Sequence, residues 1–304
     1  MYTGKHIATK LWVGDYTTGD TFEKFAQKAE GIKRIGVLRA DVDNLGQTFV
    51  AGFAGKYATL SRTAALSRQL SIFFKYYIRS ILKNGEYHID GEKKLTERNA
   101  TIVYSGGDDV FIVGAWNEVI ELSIDLQEKF KKYTQGTLSI SSGIGIYECT
   151  YPIGAIANET GEMEAESKRM PEKDSVTLMD DGETHLINEL EICDGTYRWE
   201  ELYKSVLGEK YDVIQDFLGE SDERGMSFLY RMLELIRNQK EKINFARFVY
   251  LLSRLEPDKE GEKKEKYRKF SRKMYQWVQS EKDCRELKTA INLYAYMHRE
   301  KGAH

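Results

Sequence analysis

Proline and cysteine are nearly missing, with three of each in 304 residues. Cys149, Cys193 and Cys284 are scattered and keep no metal-ligand spacing. Neither a disulfide framework nor a zinc ribbon is written here, and a reduced, cytoplasmic setting is expected. Histidine is thin as well. His6, His88, His185, His298 and His304 form no pair at metal-binding spacing, and none is given a catalytic role. No apolar run is long enough to span a bilayer and no signal-peptide pattern opens the chain, so no membrane partner is expected. Two phosphate-binding signatures also fail. Gly55-Lys56 has no glycine five residues before it, and Gly143-Ile144-Gly145 lacks the third glycine of a dinucleotide fingerprint. Internal repeats and long low-complexity tracts are missing too.

What remains is a globular composition, 41% hydrophobic and 31% charged, in a chain long enough for more than one average core. Charge is uneven. From Arg198 onward 23 Lys+Arg face 19 Asp+Glu, whereas before it 22 face 29. An acidic lobe that handles nucleotides needs cations to do so.

The densest signal is Ser105-Gly106-Gly107-Asp108-Asp109, between the apolar runs Ala100–Tyr104 and Val110–Val113. Two β-branched and aromatic runs about a Gly-Gly-Asp-Asp turn read as a β-hairpin. Adjacent strand side chains point to opposite faces, so Asp108 and Asp109 can share a site only at the turn. Close carboxylates repel unless a cation or a shared proton relieves them; a solvated hairpin tip is the plain alternative. Upstream, Ile35 to Asp41 reads as a strand that ends in Asp41-Val42-Asp43, followed by the Gly-containing loop Asn44-Leu45-Gly46. If that strand neighbours the hairpin, their ends lie about 4.8 Å apart. Asp41 can then meet Asp108 and Asp109 around one or two Mg2+ or Mn2+ ions, with oxygen ligands at roughly 2.0–2.1 Å for magnesium. Paired ions of this kind clamp an in-line displacement at phosphorus. The backbone of Val42 and the loop from Asp43 to Gly46 offer donors and acceptors for a triphosphate, although Asp43 also suits a capping or loop role.

In chain order, His6 to Tyr16 reads as an edge strand and Thr21 to Ala29 as a short helix. Leu60 to Leu82 is an amphipathic helix with Leu66, Leu70, Phe73, Phe74 and Ile78 on its apolar side. A polar excursion to Asn99 leads to the hairpin. Helices follow over Asn117–Tyr133 and Pro152–Lys168, and strands over Leu138–Tyr147 and Ser175–Met179, the last strand expected. The β-α-β-β-α-β order over 35–147 is the ferredoxin-like plan. From Trp199 on, aromatic-rich helical segments take over. The fold class is α+β: a ferredoxin-like domain over 1–195 and an all-α domain over 196–304. Lys263 to Lys273 holds seven bases and one acid, either a solvated helix face or a contact for an RNA backbone.

Together, Leu11-Trp12-Val13-Gly14-Asp15-Tyr16, Gly36 to Gly46, Leu60-Ser61-Arg62 with Leu66-Ser67-Arg68, and the Ser105–Asp109 turn resemble one family. It is the large palm-domain subunit of type III-A CRISPR (Csm-type) effector complexes. The resemblance implies a palm that converts ATP into cyclic oligoadenylate while the complex holds target RNA. It implies other Csm-type subunits as partners, with CRISPR RNA and target RNA reached through the complex. The family's nuclease domain, first palm and Cys-rich element are not visible, so the chain reads as a C-terminal portion without DNase activity. The family's ATP site lies between two palms, so self-dimerisation through the palm, or a companion subunit, is expected. Carried residue by residue, the resemblance makes Asp41, Val42 and Asp108 metal-holding, and Asp109 a ligand or the group that orients the attacking 3′-hydroxyl. It puts nucleotide against Asp43, Asn44, Leu45, Gly46, Ser105, Gly106 and Gly107, the base near Ser61, and the triphosphate near Lys168. A catalytically silent palm that serves assembly, a diguanylate cyclase and a polymerase remain as other readings. Asp109-Val110, in place of the Glu-Phe of a diguanylate cyclase, speaks against the second.

Overall fold

In the computed structural model the described residues are 14–19, 21–53, 55–91, 94–180, 182–219, 224–237 and 242–299. Most of the N-terminal segment read as an edge strand lies outside them. Just after it, Thr17 makes a single antiparallel bridge to Thr101. The chain forms two compact units, Met1–Ala29 with Lys33–Thr196, and Glu30–Ile32 with Tyr197–His304. Among the described residues no helix is long and apolar enough to cross a membrane.

The first unit begins with α1 (Phe22–Lys28), β1 (Ile35–Val42), the short α2 (Leu45–Ala51) and α3 (Leu60–Ile72). After α3 the helix widens into a π-helical turn, Phe73–Tyr77, and resumes as α4 (Ile78–Lys83). Then come β2 (Ala100–Gly106), β3 (Asp109–Ala115), α5 (Trp116–Tyr133), β4 (Ile140–Tyr147), α6 (Ile153–Ser167) and β5 (Ser175–Leu178). The sheet order is β2-β3-β1-β4-β5-β8, with β8 at Thr196–Arg198. Strands β2, β3, β1 and β4 pair antiparallel throughout, and β4 pairs parallel with β5. That is the ferredoxin-like arrangement with an added edge.

Helices cover both faces. On one, the expected α5 stripe Val119, Leu122, Leu126 and Phe130 is fully buried, and Phe73 meets Phe130 edge-on at 5.1 Å. On the other, Phe25 and Ala26 of α1 and Ile156 of α6 join Ile35, Val37, Val113 and Tyr147 in one apolar cluster. α6 comes unusually close, because a Cβ at Gly143 of β4 would stand 2.5 Å from the Glu164 amide and from the Thr160 carbonyl. Only a bare backbone allows that approach. Gly143 is the register partner of Arg39 on β1, so the gap sets the end of α6 beside that strand.

Three expectations are corrected. Ser175–Leu178 is not the last strand: β6 (Thr184–Ile187) and β7 (Leu190–Cys193) form a separate hairpin and β8 extends the main sheet. The loop after Asp43 contains α2, which buries no residue and so gave no periodic apolar signal. The single helix over Leu60–Leu82 is interrupted by the π-turn, and its start faces solvent, with Leu60 87% exposed.

The second unit is helical: α7 (Trp199–Glu201), a π-helical stretch Leu202–Tyr211, α8 (Asp212–Leu218), α9 (Arg224–Arg237), α10 (Lys242–Ser253), α11 (Glu262–Trp277) and α12 (Glu281–His298). The basic run of α11 is largely neutralised inside its own unit. Lys264, Arg268, Lys269 and Lys273 pair with Glu260, Glu260, Asp216 and Glu209 respectively. This supports the solvated helix face over a backbone-binding one.

Candidate active site

The site lies where β1 ends against the β2–β3 turn. Along β1, Leu38, Ala40 and Val42 are buried, while Arg39 and Asp41 are half-buried and share the opposite face. Asp41 stands directly across from Asp109 in the β1–β3 register. The Val42 amide donates to the Asp108 carbonyl at 3.2 Å. Gly107 takes a φ of +51°, the left-handed region a glycine enters at little cost. The turn thus sets Asp108 and Asp109 beside the end of β1, as the hairpin reading required.

The electrostatics record this crowding. Partial burial, then the charges of Asp41 and Asp109, push the Asp108 carboxyl above its ordinary value, while a backbone hydrogen bond and Lys168 pull the other way. Lys168, the residue capping the end of α6, reaches both the Asp41 carboxylate and, at 2.7 Å, Glu164. Burial works against its charge, but the bonds to Asp41 and Glu164 outweigh it and hold its pKa above the usual lysine value. Glu164 is in turn gripped by Arg39, Nε to Oε2 at 2.8 Å. A chain of alternating sign therefore runs Arg39, Glu164, Lys168, Asp41.

Other expected residues are placed differently. Ser105 does not face a ligand: it is buried, and its hydroxyl donates to the Phe74 carbonyl at 2.5 Å. A π-turn leaves carbonyls without their usual helical donors, and Ser105 fills one such place. Asp43 is 3% exposed, and its Oδ2 accepts from the Ser139 hydroxyl at 2.7 Å and the Asp174 amide at 3.1 Å. It braces the loop instead of opening toward nucleotide. Asn44 sits in the left-handed region, and its Oδ1 accepts from Lys173 Nζ at 2.7 Å. Leu45 and Gly46 form the first turn of the exposed α2, and Ser61 is exposed in the first turn of α3.

The sequence reading missed Arg39, Glu164, Tyr104 and Lys173. Two were within reach: Arg39 lies two residues before Asp41 on a strand, and Glu164 four before Lys168 on a helix. Tyr104 was not, because a bulge between Ile102 and Tyr104 shifts the register. The charge of Asp109, ahead of burial, raises the phenol's pKa.

The sequence matches the Cas10/Cmr2 second palm domain over residues 34–177, and the second helical domain of the CRISPR RNA silencing complex Cmr2 subunit over 215–300. The CRISPR system single-strand-specific deoxyribonuclease Cas10/Csm1 (subtype III-A) of Mycobacterium tuberculosis is 42% identical over 306 residues, 99% of this chain and 36% of that protein. This chain belongs to the Cas10/Csm1 family. The Cas10/Csm1 protein of Enterococcus italicus is 38% identical over 98% of this chain, again 36% of the relative's length. The crystal structure of a Csm1–Csm4 cassette in complex with pppApApA superposes with a TM-score of 0.70 at 26% identity, over 93% of this chain and 41% of that one. The chain thus spans little more than a third of the curated Cas10/Csm1 relatives it matches.

Among the described residues no three His, Cys, Asp or Glu side chains are gathered tightly enough to hold a metal ion. At Asp41 the lysine ammonium takes that place. The donor set still fits a hard divalent cation, which prefers oxygen ligands. Asp41 and Asp109 face each other in the strand register beside Asp108, and after burial their two charges raise the Asp108 pKa, a repulsion that a cation would relieve.

Proposed function

We propose that this chain is the catalytic palm of a metal-dependent nucleotidyltransferase. It converts ATP into cyclic oligoadenylate within a type III-A CRISPR complex, alongside other Csm-type subunits and, through them, CRISPR RNA and target RNA. The observation that carries the reading is the pairing of Asp41 with Asp109 across β1 and β3, beside Asp108. The related cassette bound to pppApApA, a linear triadenylate, supports adenylate as the building block.

In this reading Asp41 and Asp108, with the Val42 carbonyl, would hold Mg2+ or Mn2+. A cation held there would acidify a ribose 3′-hydroxyl and offset charge developing on the α-phosphoryl group as pyrophosphate leaves. Asp109 orients the attacking hydroxyl, and Lys168 receives the triphosphate as a point charge. Ser61, exposed at the start of α3, lies near the base, where a hydroxyl both donates and accepts and so suits adenine's ring nitrogens. Two nucleotides need a second surface, supplied by self-dimerisation through the palm or by a companion subunit. A silent, assembly-only palm draws on one observation, the Lys168 ammonium seated on Asp41.

The test is incubation of the chain, alone and with Csm-type subunits and target RNA, with labelled ATP or GTP and Mg2+ or Mn2+. Oligoadenylate from ATP, with GTP turned over far less, is expected. ATP binding without any product in the assembled complex would favour the silent palm, and equal use of GTP would remove Ser61 from the base site. The deoxyribonuclease activity in the relatives' name is not assigned to this chain, so no palm-dependent loss of single-stranded DNA is expected.

A further inference from the structure

Lys168 is bonded to two carboxylates at once, and the two differ in what else holds them. Glu164 is 11% exposed and fixed from its other side by Arg39. Asp41 is 26% exposed at the open end of β1, across from Asp109. One partner is an anchor and the other is in the place of a metal ligand. A lysine is a compact point charge on a flexible stem, so it can change partner without losing its footing.

We infer that Lys168 is an exchangeable counter-ion: it occupies Asp41 in the nucleotide-free palm and transfers to the incoming triphosphate as the divalent cation takes Asp41. Glu164, locked by Arg39, is the positioning residue that keeps the ammonium within reach of both. This inference rests on the proposed metal role of Asp41. It adds to that role a coupling: cation and nucleotide assist each other, because each removes what the other must displace. Lysine and cation compete for one carboxylate, whereas lysine and triphosphate attract.

The signature is a pair of opposite signs, read by Mn2+ titration followed by electron paramagnetic resonance, with no turnover required. In the full chain without nucleotide, Lys168→Met should bind Mn2+ about two- to fivefold more tightly, the scale of a half-exposed ion pair. Its ATP affinity, measured by calorimetry, should fall. Lys168→Arg, which keeps the charge, should leave Mn2+ affinity near the parent's. Glu164→Gln should weaken Mn2+ binding, since the lysine then leans on Asp41 alone. Effects of the same sign in Lys168→Met and Glu164→Gln would overturn the exchange and make the cluster a fold element. Asp41→Asn separates the two levels: if it weakens Mn2+ binding while Lys168→Met changes nothing, the metal site stands and the exchange fails. If Asp41→Asn leaves Mn2+ binding untouched, the metal site fails and the exchange with it.

Discussion

Each unit holds a lysine between carboxylates, and the two clusters have different consequences. Lys210, in the helical unit, is 2% exposed and meets Asp283 at 2.8 Å and Glu286 at 2.5 Å, with its ammonium 5.2 Å from the centre of the Trp277 ring. Lys168, in the palm, has similar partners but is 25% exposed. Pairing alone does not distinguish them; access to water does. A buried ion pair cannot lose one member without stranding the other's charge, while a half-exposed one can trade its partner for water, a cation or a phosphate. The closed cluster is therefore fold, and the open one is available for chemistry.

The largest expected effect tests the open side. Asp108→Asn with Asp109→Asn should lower nucleotidyl transfer on the order of 10³-fold or more, the scale of losing preorganised charge stabilisation, while the melting temperature does not fall. Product formation at the parent rate, or loss of the folded state, would turn the turn carboxylates into structural residues. Next comes the direct contrast between the lysines. Lys210→Ala should cost about 3–5 kcal/mol in urea unfolding, because Glu286, 1% exposed, is left charged and buried. Lys168→Ala should cost less than about 1 kcal/mol. Similar costs for both would erase the distinction between closed and open clusters.

The palm was legible because its strands alternate or run apolar, and because a Gly-Gly-Asp-Asp turn has few uses. The β1–β3 pairing was the condition on which the metal-site reading depended, and the register meets it. The parts that stayed hidden depend on tertiary context. Nothing in Phe73–Tyr77 announces a π-turn, and nothing near Ser105 in sequence points to its bond with the Phe74 carbonyl, so it looks like part of a ligand-facing turn. The β6–β7 hairpin turns through Asn188 and Glu189, both at positive φ; Asn favours such a turn, but a glutamate there gives no signal. Arg98 sat in what read as a polar excursion, yet it is 1% exposed and bonded to Glu121 and Asp125. A charge that is buried because partners await it cannot be told from a solvated one by sequence alone.

The smallest effect tests the electrostatic reading of the turn. Asp108 has a pKa above its ordinary value in the folded chain, from burial first and then from Asp41 and Asp109. Below the ordinary carboxylate value, near about 3.9, the group is protonated in both folded and unfolded chains and opposes nothing. As pH rises through that value, the unfolded chain releases its proton first, so the folded state loses stability until the raised pKa is passed. Asp108→Asn removes this dependence. With chelator present, the single variant should melt slightly higher than the parent at pH 7, and the difference should shrink to nothing below the ordinary carboxylate range. Mg2+ should close the gap from the other side, by stabilising the parent more than the variant. A variant that melts lower than the parent at pH 7 would mean that Asp108 is held by favourable contacts. The turn would then be another closed cluster, like that of Lys210, and not the open end of a metal site.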